Sequence, residues 1–228
     1  MKRILVPTDF SKHAEYALKV AAQIAKKNDG EIFLVHMLEL PTSGNDAIST
    51  AHEIPELMLF KNAAINKLDS LMESDFLNGV KISKIIQFEM AFDGIVKYAK
   101  SHDIDLIVMG SHGASGFQEM FIGSNTEKVV RNSEAPVLVI KREEEKFSAS
   151  KCVFASDFSD EAKKPCEKAF SFAQGFGAHL HLVNINTPNN FKSTKVAQQT
   201  MNDFLAGTDT TNITSHIYNA VNVEKGIL

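Results

Sequence analysis

Short apolar runs alternate with amphipathic stretches along the first 140 residues of the chain, in the manner of an α/β protein. A polar loop is expected at 42–51. Ser11 suits the N-cap of the first helix, and Asn28–Asp29–Gly30 suits its end. The apolar runs predict strands at residues 4–6, 32–35, 82–88, 106–109 and 137–140. The later amphipathic stretches predict helices at about 53–75, 92–101 and 125–132.

Continuously apolar strands indicate a parallel sheet that is covered by helices on both faces. Right-handed crossovers then favour an open five-stranded sheet of order 3-2-1-4-5. In such a sheet, ligands bind beyond the carboxyl ends of the strands, where the strand order reverses. The reversal lies between the first and fourth strands. Asp9 and Gly110, which end these strands, are therefore expected to meet at a ligand site.

The second part of the chain repeats the first in a single register. Asp157–Phe158–Ser159 lies 148 positions after Asp9–Phe10–Ser11, and the same offset aligns Leu182–Val183 with Leu34–Val35. Three alanines of the first helix also align with alanines at this offset. One register that runs across strand, turn, helix and strand indicates a duplicated domain.

We therefore expect two domains, a complete one at residues 1–142 and an incomplete copy at 151–228, joined by a charged and polar linker. The copy is expected to contain a helix at 194–205 and a strand at 213–218. The counterpart of Gly110 would fall beyond residue 228. This indicates a second copy that is truncated after its first three strands.

Composition and missing motifs exclude several classes of function. The formal net charge of −4 argues against nucleic-acid binding through counterion release. The two cysteines do not form a disulfide framework, and no apolar run reaches the roughly 20 residues of a membrane helix. We expect reduced thiols and a cytoplasmic protein without nucleic-acid or membrane partners. The P-loop, the dinucleotide fingerprint, the nucleophile elbow and zinc-ligand spacing are all missing from the sequence.

Most of the candidate chemistry lies in the pattern Gly-x2-Gly-x9-Gly-Ser, which runs from Gly110 to Ser124. A predicted strand leads into this segment and a predicted helix leaves it. The free N–H groups at the start of that helix suit phosphate oxygens. The glycines let backbone N–H groups approach a ligand and adopt positive φ. Ser124 adds a hydroxyl, and Asn125 and Thr126 add side-chain donors.

Several of these residues also have a structural interpretation. Ser124 and Glu127 form the Ser-x-x-Glu capping box, which explains both without a ligand. Asp9 would accept from a ribose hydroxyl or a base amine, or help to hold a metal ion, but it also suits a turn before a helix. The glycines also suit an ordinary loop.

The histidines are less informative. His112 lies in the glycine segment and suits a polar loop as well as a ligand site, and His36 ends a strand in a structural position. His179 and His181 alternate on a strand and share one face, but two histidines are a weak signal for a metal site.

Four segments together carry a resemblance to a known family: Pro7–Thr8–Asp9–Phe10–Ser11, Leu34–Val35–His36, the run from Asp105 into the glycine segment, and residues 136–140. They resemble the universal stress protein family, whose nucleotide-binding members carry Gly-x2-Gly-x9-Gly-Ser/Thr. The segment here matches that spacing in full. The resemblance covers residues 1–142 and extends to the rest as a truncated second copy. It implies the adenine-nucleotide alpha-hydrolase-like fold.

The resemblance also implies an adenine-nucleotide site in the first domain, for ATP, ADP or AMP, with Mg²⁺ or Mn²⁺ as an accompanying ion. Asp9 and the backbone of Met37 would lie at the adenosine end, and Gly110 would face the ribose. Gly113 and the start of the last helix would hold phosphates. The expected contact residues are Pro7, Thr8, Asp9, Met37, Met109, Gly110, His112, Gly113, Gly123, Ser124, Asn125 and Thr126. No catalytic residue is assigned.

The function implied by the resemblance is that of a stress-response regulator that binds ATP. A slow ATPase and a nucleotide-independent interaction scaffold are the alternatives. Closing strands commonly pair in this family, and an exposed apolar strand edge seeks another strand. We therefore expect a homodimer through the strand Val137 to Ile140.

Overall fold

The computed structural model describes residues 1–39, 50–112 and 122–227, with residues 50–56 described in their backbone only. The chain forms two compact units, Met1–Phe147 and Ser148–Leu228. Most of the loop predicted at 42–51 lies outside the described residues, and so does Gly113 of the glycine segment.

The first unit alternates strands and helices along its length. A short 3-10 turn at Asp75–Leu77 precedes its third strand. Every strand and helix predicted for this unit is present, with ends within three residues of the predicted ones. Its elements are β1 (Arg3–Pro7), α1 (Lys12–Asn28), β2 (Glu31–Met37), α2 (Thr50–Met72), β3 (Lys81–Gln87), α3 (Ala91–Ser101), β4 (Leu106–Gly110), α4 (Ser124–Asn132) and β5 (Val137–Ile140).

These five strands form one parallel sheet of order β3-β2-β1-β4-β5, which confirms the predicted order. β1 is central, and Leu5 pairs in register with Phe33 of β2 and Ile107 of β4. The order reverses between β1 and β4. The segments that follow these two strands therefore leave the carboxyl edge of the sheet side by side, where a crevice opens.

Helices cover both faces of this sheet, as predicted. On one face Leu5 and Ile107 pack with Ile95 of α3 and Val129 of α4 in a single buried cluster. Successive residues of a strand point to opposite faces. The alternate residues of β1 and β4 therefore point toward α1, which packs against both strands.

The ends of α1 follow from the sequence. The Ser11 hydroxyl accepts a hydrogen bond from the Ala14 N–H at 3.2 Å, which confirms the predicted N-cap. At the other end Asp29 adopts the left-handed conformation with φ 47°, and Gly30 N donates to Ala25 O at 2.9 Å. The chain therefore turns directly from α1 into β2.

The second unit has a parallel sheet of three strands in the order β6-β7-β8. The predicted helix and strand of this unit are both present to within one residue, whereas its last short helix was not predicted. A buried cluster that includes Phe158, Leu180 and Met201 forms its core. Its elements are β6 (Lys151–Ala155), α5 (Lys163–Phe176), β7 (His179–Asn186), α6 (Thr194–Phe204), β8 (Ile213–Asn219) and α7 (Val223–Ile227).

The turn after the first strand has the same geometry in both units. Phe10 and Phe158 both have positive φ, at 64° and 58°. The carboxylates of Asp9 and Asp157 each accept from the backbone N–H two residues further on, at 3.0 Å in both cases. Aspartate commonly holds a turn in this way.

Cys152 and Cys166 are free thiols, as the sequence predicts. Burial raises the pKa of the Cys166 thiol to about 11, so this thiol stays protonated at neutral pH. Among the described helices, none is both long and apolar enough to cross a membrane.

Candidate functional site

A cleft opens at the carboxyl edge of the first unit's sheet, where β1 and β4 end side by side. The turn after β1, the ends of β2 and β4, and the starts of α1, α3 and α4 all contribute to its lining. Its described lining is Pro7, Thr8, Asp9, Ala14, Val35, His36, Met37, Ala91, Ile95, Met109, Gly110, His112, Gly123, Ser124, Asn125 and Thr126.

Thr8 and Asp9 directly follow β1 and line the cleft. They lie in a turn that their own side chains stabilise. Thr8 N donates to Val35 O at 2.8 Å, and Phe10 N donates to the Thr8 hydroxyl oxygen at 3.1 Å. Oδ1 of Asp9 accepts from Ser11 N at 3.0 Å. Asp9 thus has the turn role that the sequence suggests. The same bond fixes its exposed carboxylate at the rim of the cleft.

The end of β4 and the start of α4 also line the cleft. The Thr126 hydroxyl donates to Gly110 O at 2.9 Å in a buried hydrogen bond. Gly123 N donates to Ser111 O at 2.7 Å, and Ser111 N donates to Ile140 O at 2.9 Å. These bonds attach the start of α4 and the end of β5 to the end of β4. The first turn of α4 therefore faces the cleft.

The N-terminus of α4 has no side-chain cap among the described residues. Gly123 is the N-cap and Ser124 is the first helical residue, so the predicted capping box is wrong. The Glu127 carboxylate accepts instead from Arg131 Nε at 3.0 Å. Glu127 N donates to Gly123 O, which is the first backbone bond of the helix. The N–H groups of residues 124–126 consequently have no intrahelical acceptor.

Close packing, more than backbone conformation, explains why residue 110 is glycine. The described glycines with positive φ are Gly79, Gly177 and Gly207, so Gly110 does not use the positive φ that glycine allows. A Cβ at Gly110 would lie 2.7 Å from the carbonyl carbon of His13. The start of α1 therefore lies directly against the end of β4, below the cleft.

His36 and His112 both line the cleft but differ in how their ring nitrogens are bonded. His36 Nδ1 donates to Thr8 O at 2.7 Å, because a carbonyl oxygen can only accept, and this agrees with its predicted structural role. Nδ1 of His112 lies 2.9 Å from the Ser111 hydroxyl oxygen. Nε2 of His112 is buried without a hydrogen-bond partner in the described part of the chain. A bound polar group would relieve the free-energy cost of that unpaired nitrogen.

The structure brings eleven of the twelve predicted contact residues to this one cleft, and Gly113 lies outside the described residues. Sequence reasoning did not name the apolar wall, formed by Ala14, Val35, Ala91 and Ile95. These positions read as ordinary core residues in the sequence. The signal that could have identified Ala91 and Ile95 is their place at the start of the helix that follows the third strand.

Comparison with known proteins agrees with this architecture. Residues 1–141 match the universal stress protein family. The chain is 35% identical over 154 residues to Universal stress protein MJ0577 of Methanocaldococcus jannaschii, covering 62% of this chain and 95% of that protein. It is 28% identical over 145 residues to Universal stress protein YxiE of Bacillus subtilis, covering 61% of this chain and 98% of that protein.

Solved structures share this fold. The structure of MJ0577 superposes with a TM-score of 0.52 at 34% identity and covers 63% of this chain and 97% of its own. A universal stress protein from Archaeoglobus fulgidus shares the fold with a TM-score of 0.59 at 23% identity, covering 96% of this chain and 77% of its own. Through its family match and these relatives, the chain belongs to the universal stress protein family.

Proposed function

We propose that the first domain, residues 1–142, binds an adenine nucleotide, mainly ATP, in the cleft between β1 and β4. The observation that carries this proposal is the start of α4, where three residues that line the cleft have backbone N–H groups without intrahelical acceptors. Such groups, together with the positive end of the helix dipole, favour phosphate oxygens. The glycine pattern shared with nucleotide-binding members of the family supports adenine as the base.

The two ends of the nucleotide would meet different chemistry. Asp9 and Met37 both line the cleft. Asp9 would offer a carboxylate to a ribose hydroxyl or a base amine, and the backbone of Met37 would contact the same end of the nucleotide. Ser124 and Asn125 would hold phosphates, together with Gly113. The unpaired Nε2 of His112 would gain a hydrogen-bond partner from the ligand.

The described lining residues offer few ligands for an accompanying Mg²⁺ or Mn²⁺. Mg²⁺ is usually held by one or two carboxylates together with substrate phosphates. Asp9 is the one carboxylate among the described lining residues. The ion would therefore be held chiefly by the nucleotide phosphates.

The size of the cleft suits partial enclosure of a nucleotide. Its volume of about 170 Å³ lies below the range of about 300–1,000 Å³ for sites that enclose drug-sized ligands. Part of the nucleotide would lie beyond the enclosed volume. We propose that nucleotide binding regulates the protein in the stress response. It would shift the population of the protein toward the conformation that has the higher affinity for the nucleotide.

Asp9→Ala is expected to weaken ATP binding at least tenfold, whereas Asp157→Ala leaves it unchanged. A hydrogen bond to a charged group contributes about 1.5–3 kcal/mol. Both variants lose the same bond within equivalent turns, so only Asp9 tests the cleft. Isothermal titration calorimetry with ATP and Mg²⁺ gives the affinities. Equal affinity in the wild type and Asp9→Ala, or no binding by the wild type at millimolar ATP, would reject the proposal. Phosphate release in the same samples tests for the slow ATPase.

We also propose that residues 151–228 repeat the part of the first domain that contains its first three strands. Thr8 O accepts from the His36 ring at 2.7 Å, and Ser156 O accepts from the Asn184 amide at 3.2 Å, at positions separated by the same offset as the repeat. Equivalent turns should contribute equally to stability. Asp9→Ala and Asp157→Ala each remove a hydrogen bond that stabilises a turn, and each is expected to destabilise its own unit by about 1 kcal/mol in chemical denaturation. Clearly unequal losses would contradict the equivalence.

The edge of the first sheet supports a homodimer through β5. Ile107 N donates to Pro136 O and Ser111 N donates to Ile140 O, both at 2.9 Å. Residues of a parallel strand bond alternately to its two sides. The N–H and C=O groups of Val137 and Val139 therefore point away from β4, at the edge of the described sheet.

Val139→Pro is expected to convert the dimer into a monomer, because proline removes an N–H that would bond to the second chain. Val139→Thr keeps this N–H and a β-branched side chain, so it is expected to remain dimeric. Light scattering coupled to size-exclusion chromatography measures the mass of each. A wild-type monomer at micromolar concentration, or a dimeric Val139→Pro, would contradict the proposed interface.

A further inference from the structure

Three histidines lie together on one face of the second unit's sheet. His179 and His181 alternate along β7, and Thr214 of β8 pairs with His181 in register. His216, two residues after Thr214, lies on the same face of the sheet. Sequence spacing predicts only that His179 and His181 share a face. The pairing of β7 with β8 adds His216 to that face.

The ring nitrogens of two of these histidines face each other. Nδ1 of His181 lies 3.1 Å from Nε2 of His216, and the two ring planes are inclined by 30°. The Thr214 hydroxyl oxygen lies 3.0 Å from Nδ1 of His181 and 3.0 Å from Nε2 of His179. Polar atoms of four side chains therefore converge over a small area of the sheet.

We propose that His181 and His216 together bind a divalent metal ion of the zinc, copper or nickel class, with water in the remaining positions. Imidazole nitrogen suits these ions. With metal–nitrogen bonds of about 2.05 Å, two nitrogens 3.1 Å apart subtend about 98° at a shared ion. This lies between the angles of about 90° and 109° in octahedral and tetrahedral sites.

Metal binding replaces the hydrogen bond between the two rings. One neutral imidazole donates its N–H to the other in the metal-free pair. On binding, the donor ring moves that proton to its other nitrogen, so both facing nitrogens present lone pairs to the ion. Thr214 and His179 lie in the outer shell. The described residues contain no set of three or more His, Cys, Asp or Glu side chains already placed to hold a metal, so we assign two protein ligands.

The sheet face around the pair is exposed and carries a lysine. Val153 and Tyr218, on the same sheet face, are 65% and 52% exposed, so an ion can reach the site from solvent. Lys151 pairs in register with His179, and its positive charge opposes a cation.

Zinc titration of the full chain without nucleotide tests this site. The wild type is expected to bind one Zn²⁺ with micromolar affinity by calorimetry. His181→Gln and His216→Gln are each expected to weaken binding at least tenfold, since even outer-shell partners change metal affinity about 10–100-fold. Lys151→Gln is expected to tighten binding about threefold by removing a repelling charge. His102→Gln, in the first unit, is the matched control and is expected to change nothing.

Paramagnetic resonance of Cu²⁺ bound to the wild type tests the ligands without any substitution. Coupling to two imidazole nitrogens is expected at one equivalent of copper. The proposal is overturned by a copper spectrum without nitrogen coupling, by Zn²⁺ affinity that neither His181→Gln nor His216→Gln reduces, or by absence of Zn²⁺ binding below millimolar concentration. Circular dichroism of the variants establishes that they are folded.

Discussion

Gly110→Ala is expected to lower the free energy of unfolding of the first unit by about 3 kcal/mol, the upper part of the usual range for an overpacked core. The new Cβ would lie 2.7 Å from the carbonyl carbon and 2.8 Å from the carbonyl oxygen of His13. These are backbone atoms, so no side-chain rotation relieves the contact. α1 cannot move away as a body, because Ala17 and Leu18 on its inner face are completely buried.

Gly94→Ala is the matched control for this prediction, because its Cβ would meet an equally close atom of a different kind. That atom is the Met37 sulfur at 2.7 Å, near the end of a flexible side chain. Alanine also gains about 1 kcal/mol over glycine within a helix. Gly94→Ala is therefore expected to stay within about 1 kcal/mol of the wild type in urea denaturation. A similar loss of unfolding free energy in both variants would contradict this explanation, because contact with the His13 backbone would then not be the reason for glycine at residue 110.

The order of the first sheet could be predicted from the sequence because it depends on two local properties. Each strand is a short apolar run between turn residues, and the handedness of the crossovers restricts the order in which the strands pair. Together these properties predict that Asp9 and Gly110 lie at the same edge of the sheet, without knowledge of any tertiary contact. The N-cap of α1 at Ser11 was also predicted correctly. A serine hydroxyl directly before an amphipathic stretch commonly accepts from an N–H of the first helical turn.

The errors occurred where the outcome depends on contacts between distant parts of the chain. Spacing alone makes Ser124 an N-cap, but the bond from Gly123 N to Ser111 O positions the chain so that the helix begins one residue earlier in the pattern. Gly110 was assigned a backbone role because its contact with His13 is tertiary. His216 joins His181 through strand pairing across 35 residues. None of these contacts leaves a periodic signal in the sequence.

Ser124→Pro is expected to weaken ATP binding about 100-fold while leaving α4 folded. Proline is favoured at the first helical position and restricts the preceding residue to extended backbone. Gly123 already has that conformation, with φ −58° and ψ 145°. The substitution therefore removes one backbone N–H and one hydroxyl from the phosphate end of the cleft without disturbing the helix. A single hydrogen bond to a charged group contributes about 1.5–3 kcal/mol, and 1.4 kcal/mol corresponds to a factor of ten in affinity.

Comparison of ATP with adenosine separates the two ends of the cleft. Ser124→Ala keeps the backbone N–H, so it is expected to weaken ATP binding less than Ser124→Pro does, by about tenfold. Adenosine carries no phosphate, and its affinity should be the same in the wild type and Ser124→Pro. Asp9→Ala should instead weaken adenosine and ATP by the same factor, because Asp9 acts at the end that the two ligands share. If Ser124→Pro weakened adenosine as strongly as ATP, the start of α4 would not be the phosphate site, even in a protein that binds ATP.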